Sequence, residues 1–220
     1  MPKIKSFGCS FISGVDLGDY DPDPKLNFPY SQRTWPALIA QRLGLAYTSI
    51  SRGGAGNLAI MHWLLSNIEP DDIAIINWTY VDRFDYVNTD EVWRSLLPNQ
   101  ASEHNEFYYR YVQSQVRDQL NSLGIIAASI NYLDTQQIPY VMTYMDQLLT
   151  DRDRSPYHSR QSLDRLQAMV EPSLDTFEGT DFVTWSRREG FAISDPGGHP
   201  LEAAHQAAAD LFTAQVAGLL

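Results

Sequence analysis

Apolar positions along this chain fall into two kinds of run. Short apolar stretches bounded by polar or turn residues alternate with longer ones whose apolar residues stand three and four apart. Ile4, Ser6, Phe7 and Cys9 predict a short buried strand, and residues 45–50, 71–79, 138–144 and 181–185 predict four more. The clearest is 71–79, where Ile73-Ala74-Ile75-Ile76 is continuously apolar, as a strand covered on both faces must be. Between the strands, Ser31 is placed to cap a helix that buries Trp35, Leu38, Ile39 and Leu43 and stops at Gly44. Residues 58–67, 162–170 and 201–219 repeat the helical period, and 107–136 reads as one long helix, interruptible at Gly124. Strands separated by helices predict an α/β fold: a three-layer α/β/α sandwich around a central parallel sheet.

Two stretches break the pattern. Residues 12–29 are rich in Gly, Asp and Pro and read as a loop over the C-terminal edge of the sheet. Asp19, Asp21 and Asp23 have calcium-loop spacing, but Pro24 and Tyr30 stand where that loop needs Gly and a bidentate Glu, which leaves a solvated acidic turn. Residues 80–105 form a polar and aromatic insertion with Arg83, Phe84, Tyr86, Trp93 and Pro98. An insertion of that length reads as a lid or binding loop, or its aromatic cluster as local core, on a single 1–220 domain, and no linker composition divides the 220 residues.

Charge narrows the partners. The 16 Lys and Arg against 27 Asp and Glu give a net charge of −11, which disfavours nucleic acid and anionic membrane surfaces. A single cysteine, Cys9, allows no intrachain disulfide or cysteine metal cluster. His62, His104, His158, His199 and His205 lack the pair spacing of a zinc site, so no metal or other cofactor is implied. With no apolar run of signal-peptide or membrane-span length, the expectation is a soluble cytoplasmic protein.

Candidate chemistry lies at the two ends of the chain. Gly8 permits a close backbone approach, so Ser10 emerges at the C-terminal end of the first strand, the edge where open α/β sheets hold ligands. A serine there needs a base, and Asp195-Pro196-Gly197-Gly198-His199-Pro200 offers an imidazole and a carboxylate. Cys9, pointing to the opposite face from Ser10, reads as buried. A glycine-rich turn, Arg52-Gly53-Gly54-Ala55-Gly56-Asn57, opens the 58–67 helix without G-x-G-x-x-G spacing. Its glycines serve either backbone packing or the presentation of free N–H groups to an oxyanion. Arg52 and Arg83 have two readings, surface ion pairs or cations at the mouth of a site for an anionic substrate.

Taken in order, Gly8-Cys9-Ser10-Phe11, the 52–57 turn and His199-Pro200 resemble the sequence blocks of the SGNH hydrolases, the GDSL-type esterase superfamily. Cys9 stands where the family has Asp, and Ile12 excludes the G-x-S-x-G elbow of the α/β-hydrolases. The resemblance implies a flavodoxin-like SGNH fold and a serine esterase working through an acyl-enzyme. It makes Ser10 the nucleophile, His199 the base and Asp195 the acid that orients it, with the N–H groups of Ser10 and Gly56 binding the oxyanion. The third block departs from the family: Thr79 occupies the place of the oxyanion Asn, with Asn77 two residues before it, and Asp195 lies four residues before His199 instead of three. Substrate-contacting groups are therefore expected among Gly56, Asn57, Asn77 and Thr79. The implied substrate is a small-molecule or glycan ester. An acyltransferase on the same fold and a non-catalytic glycan-binding module are the alternatives.

Overall fold

The computed structural model describes residues 2–23, 27–98, 100–151 and 160–220. In chain order the elements are β1 (Lys3–Gly8), the short α1 (Ser10–Ser13), α2 (Trp35–Leu43), β2 (Ala46–Ser51), α3 (Asn57–Asn67), β3 (Ile73–Trp78), β4 (Phe84–Val87) and β5 (Trp93–Leu96). There follow α4 (Glu103–Phe107), α5 (Gln115–Gln136), β6 (Tyr140–Tyr144), α6 (Arg160–Val170), α7 (Phe182–Arg188) and α8 (Glu202–Ala217). Strands β2-β1-β3-β6 form a four-stranded, wholly parallel sheet, with Phe7 level with Ile50 and Ile76. The first crossover runs outward from β1 to β2 and the second returns to β3. Right-handed connections therefore place α2 and α3 on opposite faces, where α2 packs with α8 and α3 with α5. Every residue of β3 is buried, which accounts for its unbroken apolar run.

Three expectations are corrected. Residues 181–185 are not a fifth strand: Asp181 accepts hydrogen bonds from the N–H groups of Val183 and Thr184 and starts α7 instead. The long helix is unbroken through Gly124 but does not reach back to Phe107; α4 runs into a π-helical turn over Tyr108–Val112, and α5 begins at Gln115. Helix α2 starts four residues beyond Ser31, whose hydroxyl donates to Asp19 and accepts from the Arg33 N–H. The charged loop expected from Asp151 onward lies, past Asp151 itself, outside the described residues.

The cap on α2 comes from the far end of the chain. His205, on α8 and 2 % exposed, accepts the Trp35 N–H on Nδ1 at 3.1 Å and packs against Phe182. Burial holds its pKa down to about 3, with the Glu202 charge opposing and His199 adding to the shift. Above pH 6.5 His205 is neutral whether the chain is folded or unfolded. Between 6.5 and 3 only the unfolded chain takes up the proton, so stability is lost as pH falls, by up to about 1.4 kcal/mol per pH unit. Urea unfolding at pH 7 and pH 5 is expected to show a larger drop for the native chain than for His205→Asn, whose amide oxygen can accept the same N–H without titrating.

Candidate active site

Ser10 is the first residue of α1, delivered where β1 leaves the sheet. A Cβ at Gly8 would lie 2.6 Å from the Ile12 side chain and 3.2 Å from the Asn77 carbonyl oxygen, so only glycine lets the chain fold back this tightly. Ser10 is 7 % exposed, and its Oγ lies 2.8 Å from His199 Nε2. On the other side of the ring, His199 Nδ1 is 2.7 Å from Oδ2 of Asp16. A carboxylate can only accept, so Nδ1 carries the hydrogen and Nε2 turns its lone pair to the Ser10 hydroxyl. Phe11 packs its ring edge-on to the imidazole at 4.9 Å.

The acid on His199 is thus Asp16, and the expectation of Asp195 is corrected. The 194–199 turn is closed by Ser194 N–H to the His199 carbonyl and Gly198 N–H to the Ser194 carbonyl, and Asp195 is exposed on it. The same turn brings Asp16 in. Ser194 Oγ donates to Asp16 Oδ2 at 2.7 Å and accepts the His199 N–H at 3.0 Å, locking carboxylate and imidazole together. A Cβ on Gly197 would lie 2.1 Å from that carboxylate oxygen, so the approach requires glycine. Asp16 adopts φ of 75°, a left-handed conformation that Asp tolerates better than most side chains. The Ser194 hydrogen bond, and behind it the His199 one, holds the Asp16 carboxyl below its ordinary pKa, so it stays ionised beside the ring.

The glycine turn also differs from expectation. The Gly56 N–H does not face Ser10: it donates to Oδ1 of Asp85 at 2.9 Å, and the Ala59 N–H donates to Oδ2 at 2.9 Å. Asp85, on β4 and 6 % exposed, caps α3 with its carboxylate and also accepts the Ser95 hydroxyl. Arg52 donates to the Trp93 carbonyl and to Ser95 Oγ, and Arg83 donates to the Ala55 carbonyl. The β4–β5 hairpin of the 80–105 insertion is thereby fastened to the turn. The part of the turn beside the serine is Gly53, whose ideal Cβ would lie 4.0 Å from Ser10 Cβ. Among the hydrogen bonds of the described residues, the N–H groups of Ser10, Gly53 and Gly54 have no acceptor.

The remaining expected groups are structural or unpaired. Asn57 holds both the N–H and the carbonyl of Thr79 and reaches Ser122 Oγ, fixing the end of β3 to the start of α3. Asn77 donates to Thr143 Oγ1 across the sheet at 2.8 Å. Among the described residues, Asn77 Oδ1, Trp78 Nε1 and Thr79 Oγ1 are buried without a hydrogen-bond partner, three unsatisfied polar atoms at the end of β3. Asp16 and Asp85 were missed by sequence reasoning; the one available signal was Asp16's position six residues after Ser10, in a loop bound to the same edge.

No protein-family model matches the sequence, and no curated protein is significantly similar to it. Solved structures do match. A G-D-S-L-family lipolytic protein of Desulfitobacterium hafniense aligns over 99 % of both chains at 11 % identity and TM-score 0.52. The lipase/acylhydrolase of Enterococcus faecalis aligns over 99 % of this chain and 96 % of its own, at 13 % identity and TM-score 0.52. The psychrotrophic esterase EstA of a Pseudoalteromonas species aligns over 98 % and 97 %, at 10 % identity and TM-score 0.50. The sheet and its flanking helices are those of the SGNH hydrolases; this chain has that fold.

Removing the Asp85 carboxylate leaves two N–H groups at the start of α3 without their acceptor. Asp85→Ala is expected to cost about 1–3 kcal/mol in urea unfolding, against a few tenths for the exposed Asp195→Ala.

Proposed function

We propose that this chain is a carboxylic ester hydrolase of the SGNH type, acting on acetyl or other short acyl esters through an acyl-enzyme on Ser10. The observation that carries the reading is the continuous line from Asp16 through His199 to the Ser10 hydroxyl, with contacts of 2.7 and 2.8 Å. Ser10 Oγ attacks the ester carbonyl carbon while its proton passes to His199 Nε2. Asp16 holds the ring in the accepting tautomer and offsets the imidazolium charge. The negative oxygen of the tetrahedral intermediate is received by the N–H groups of Ser10 and Gly53. Its collapse breaks the C–O bond, and the proton on Nε2 passes to the departing alcohol. Water then attacks the acyl-enzyme, gives its proton to Nε2, and the acid leaves as Ser10 recovers the proton.

Asp85 on the Gly56 N–H supports a second reading, a carbohydrate-ester-binding module without turnover, since one familiar oxyanion donor is withheld. An activity-based probe separates the two. A fluorophosphonate is expected to add once to the native chain and not to Ser10→Ala or His199→Ala, read by intact mass. Turnover of p-nitrophenyl acetate is expected to fall on the order of 10³- to 10⁴-fold in Asp16→Asn and to change little in Asp195→Asn. A native chain that takes no adduct and hydrolyses no ester would decide for the binding module.

A further inference from the structure

The turn beside Ser10 is ringed by arginines in a chain whose net charge is −11. A pocket of about 170 Å³ lies against it, walled by Arg52, Gly53, Gly54, Arg94, Ser95 and Leu97. Gly53, on its wall, is the residue whose Cβ position lies 4.0 Å from Ser10 Cβ. Arg83 stands on the far side of the same turn, its guanidinium 5.0 Å from the Tyr80 ring centroid and one nitrogen on the Ala55 carbonyl.

These cations are not consumed by carboxylates. Among the described residues, none of Arg52, Arg83 and Arg94 has a carboxylate oxygen within 4.0 Å. Arg52 spends two N–H groups on neutral oxygens, those of Trp93 and Ser95, and a guanidinium has five. The nearest acid acting on it, Asp85, already accepts from Gly56, Ala59 and Ser95. Burial, and the Arg94 charge as a lesser cause, work against the charged form of Arg52, while Asp85 supports it. Asp82 lines the neighbouring cavity with Arg83, and burial raises its carboxyl pKa. The pocket thus offers two guanidinium groups, and among the described residues no carboxylate lines it.

We propose that this pocket binds a carboxylate of the substrate, so that the preferred ester carries a free carboxylate a few carbons from the carbonyl that Ser10 attacks. A guanidinium fork matches a carboxylate in two parallel hydrogen bonds. A monoanion suits a chain of net charge −11 better than a phosphate dianion does. The inference rests on the hydrolase reading above and adds to it the substrate's charge.

The test uses two ester pairs on the full chain. Mono-p-nitrophenyl glutarate carries its carboxylate on the acyl side and p-acetoxybenzoate on the alcohol side; each is compared with its methyl ester. For one pair, kcat/KM for the anion is expected to exceed that for the methyl ester by about tenfold or more. That ratio should fall toward one in Arg94→Gln and at raised ionic strength. The identity of the winning pair says which side of the ester bears the carboxylate. Ratios near or below one for both pairs overturn the proposal, as does a ratio unchanged in both Arg94→Gln and Arg52→Gln; either leaves the hydrolase reading standing. If the native chain hydrolyses none of the four esters and takes no fluorophosphonate, the hydrolase reading is what fails. The pocket is then decided by binding: glutarate, and not dimethyl glutarate, must shift the Gly53 and Gly54 amide resonances in the native chain and lose that effect in Arg94→Gln. Equal response to the two ligands overturns it.

Discussion

One line of hydrogen bonds, from Asp16 through His199 to Ser10, organises the C-terminal edge of the sheet. It joins residues 183 and 189 positions apart, so it forms only after the sheet has brought the two ends of the chain to one edge. Each member is held by something other than the line itself. Gly8 and the tight turn into α1 place Ser10, the Ser194 hydroxyl fixes both Asp16 and the His199 backbone, and Phe11 packs against the ring. Such support matters because proton transfer between fixed partners depends on their geometry more than on their identities. The cost is local: a left-handed Asp16 and a Gly197 that tolerates no Cβ.

A second device, the Asp85 carboxylate, sets the other wall. It ties the β4–β5 hairpin to the start of α3 with two hydrogen bonds, accepts a third from Ser95 within the hairpin, and occupies the Gly56 N–H. Beside the serine, the N–H groups of Ser10 and Gly53 have no acceptor among the described residues. The same hairpin carries Arg94 and receives the Arg52 hydrogen bonds, so it closes the glycine turn and shapes the charge beside it. The insertion, read in sequence as a lid, a binding loop or local core, therefore forms part of the wall.

Much of this was legible before any coordinates. The parallel sheet followed from alternating strand and helix patterns, because a strand buried on both faces reads as a continuous apolar run, as residues 73–76 of β3 do. Ser10 and His199 were legible because glycines and strand ends mark where a backbone can expose a side chain at the sheet edge. Asp16 was not. Closeness in sequence favoured Asp195, whereas a turn closed on itself by Ser194 and His199 leaves Asp195 in solvent and admits a carboxylate from a distant loop. Asp85 was hidden for a similar reason: a helix cap from another element leaves no mark near the helix it caps. The 181–185 strand failed because Phe182, Val183 and Trp185 suit a strand and a short helix alike, and the Asp181 cap decided between them. No helix among the described residues is long and apolar enough to cross a membrane.

The central claim is that Asp16 holds the Nδ1 proton of His199 and so turns Nε2 to Ser10. Proton NMR of the native chain at low temperature observes that bond directly, as an imidazole N–H resonance far downfield of the amide envelope. The account predicts such a resonance in the native chain and in Asp195→Ala, and its loss in Asp16→Ala and His199→Ala. A resonance that survives in Asp16→Ala and disappears in Asp195→Ala would contradict it.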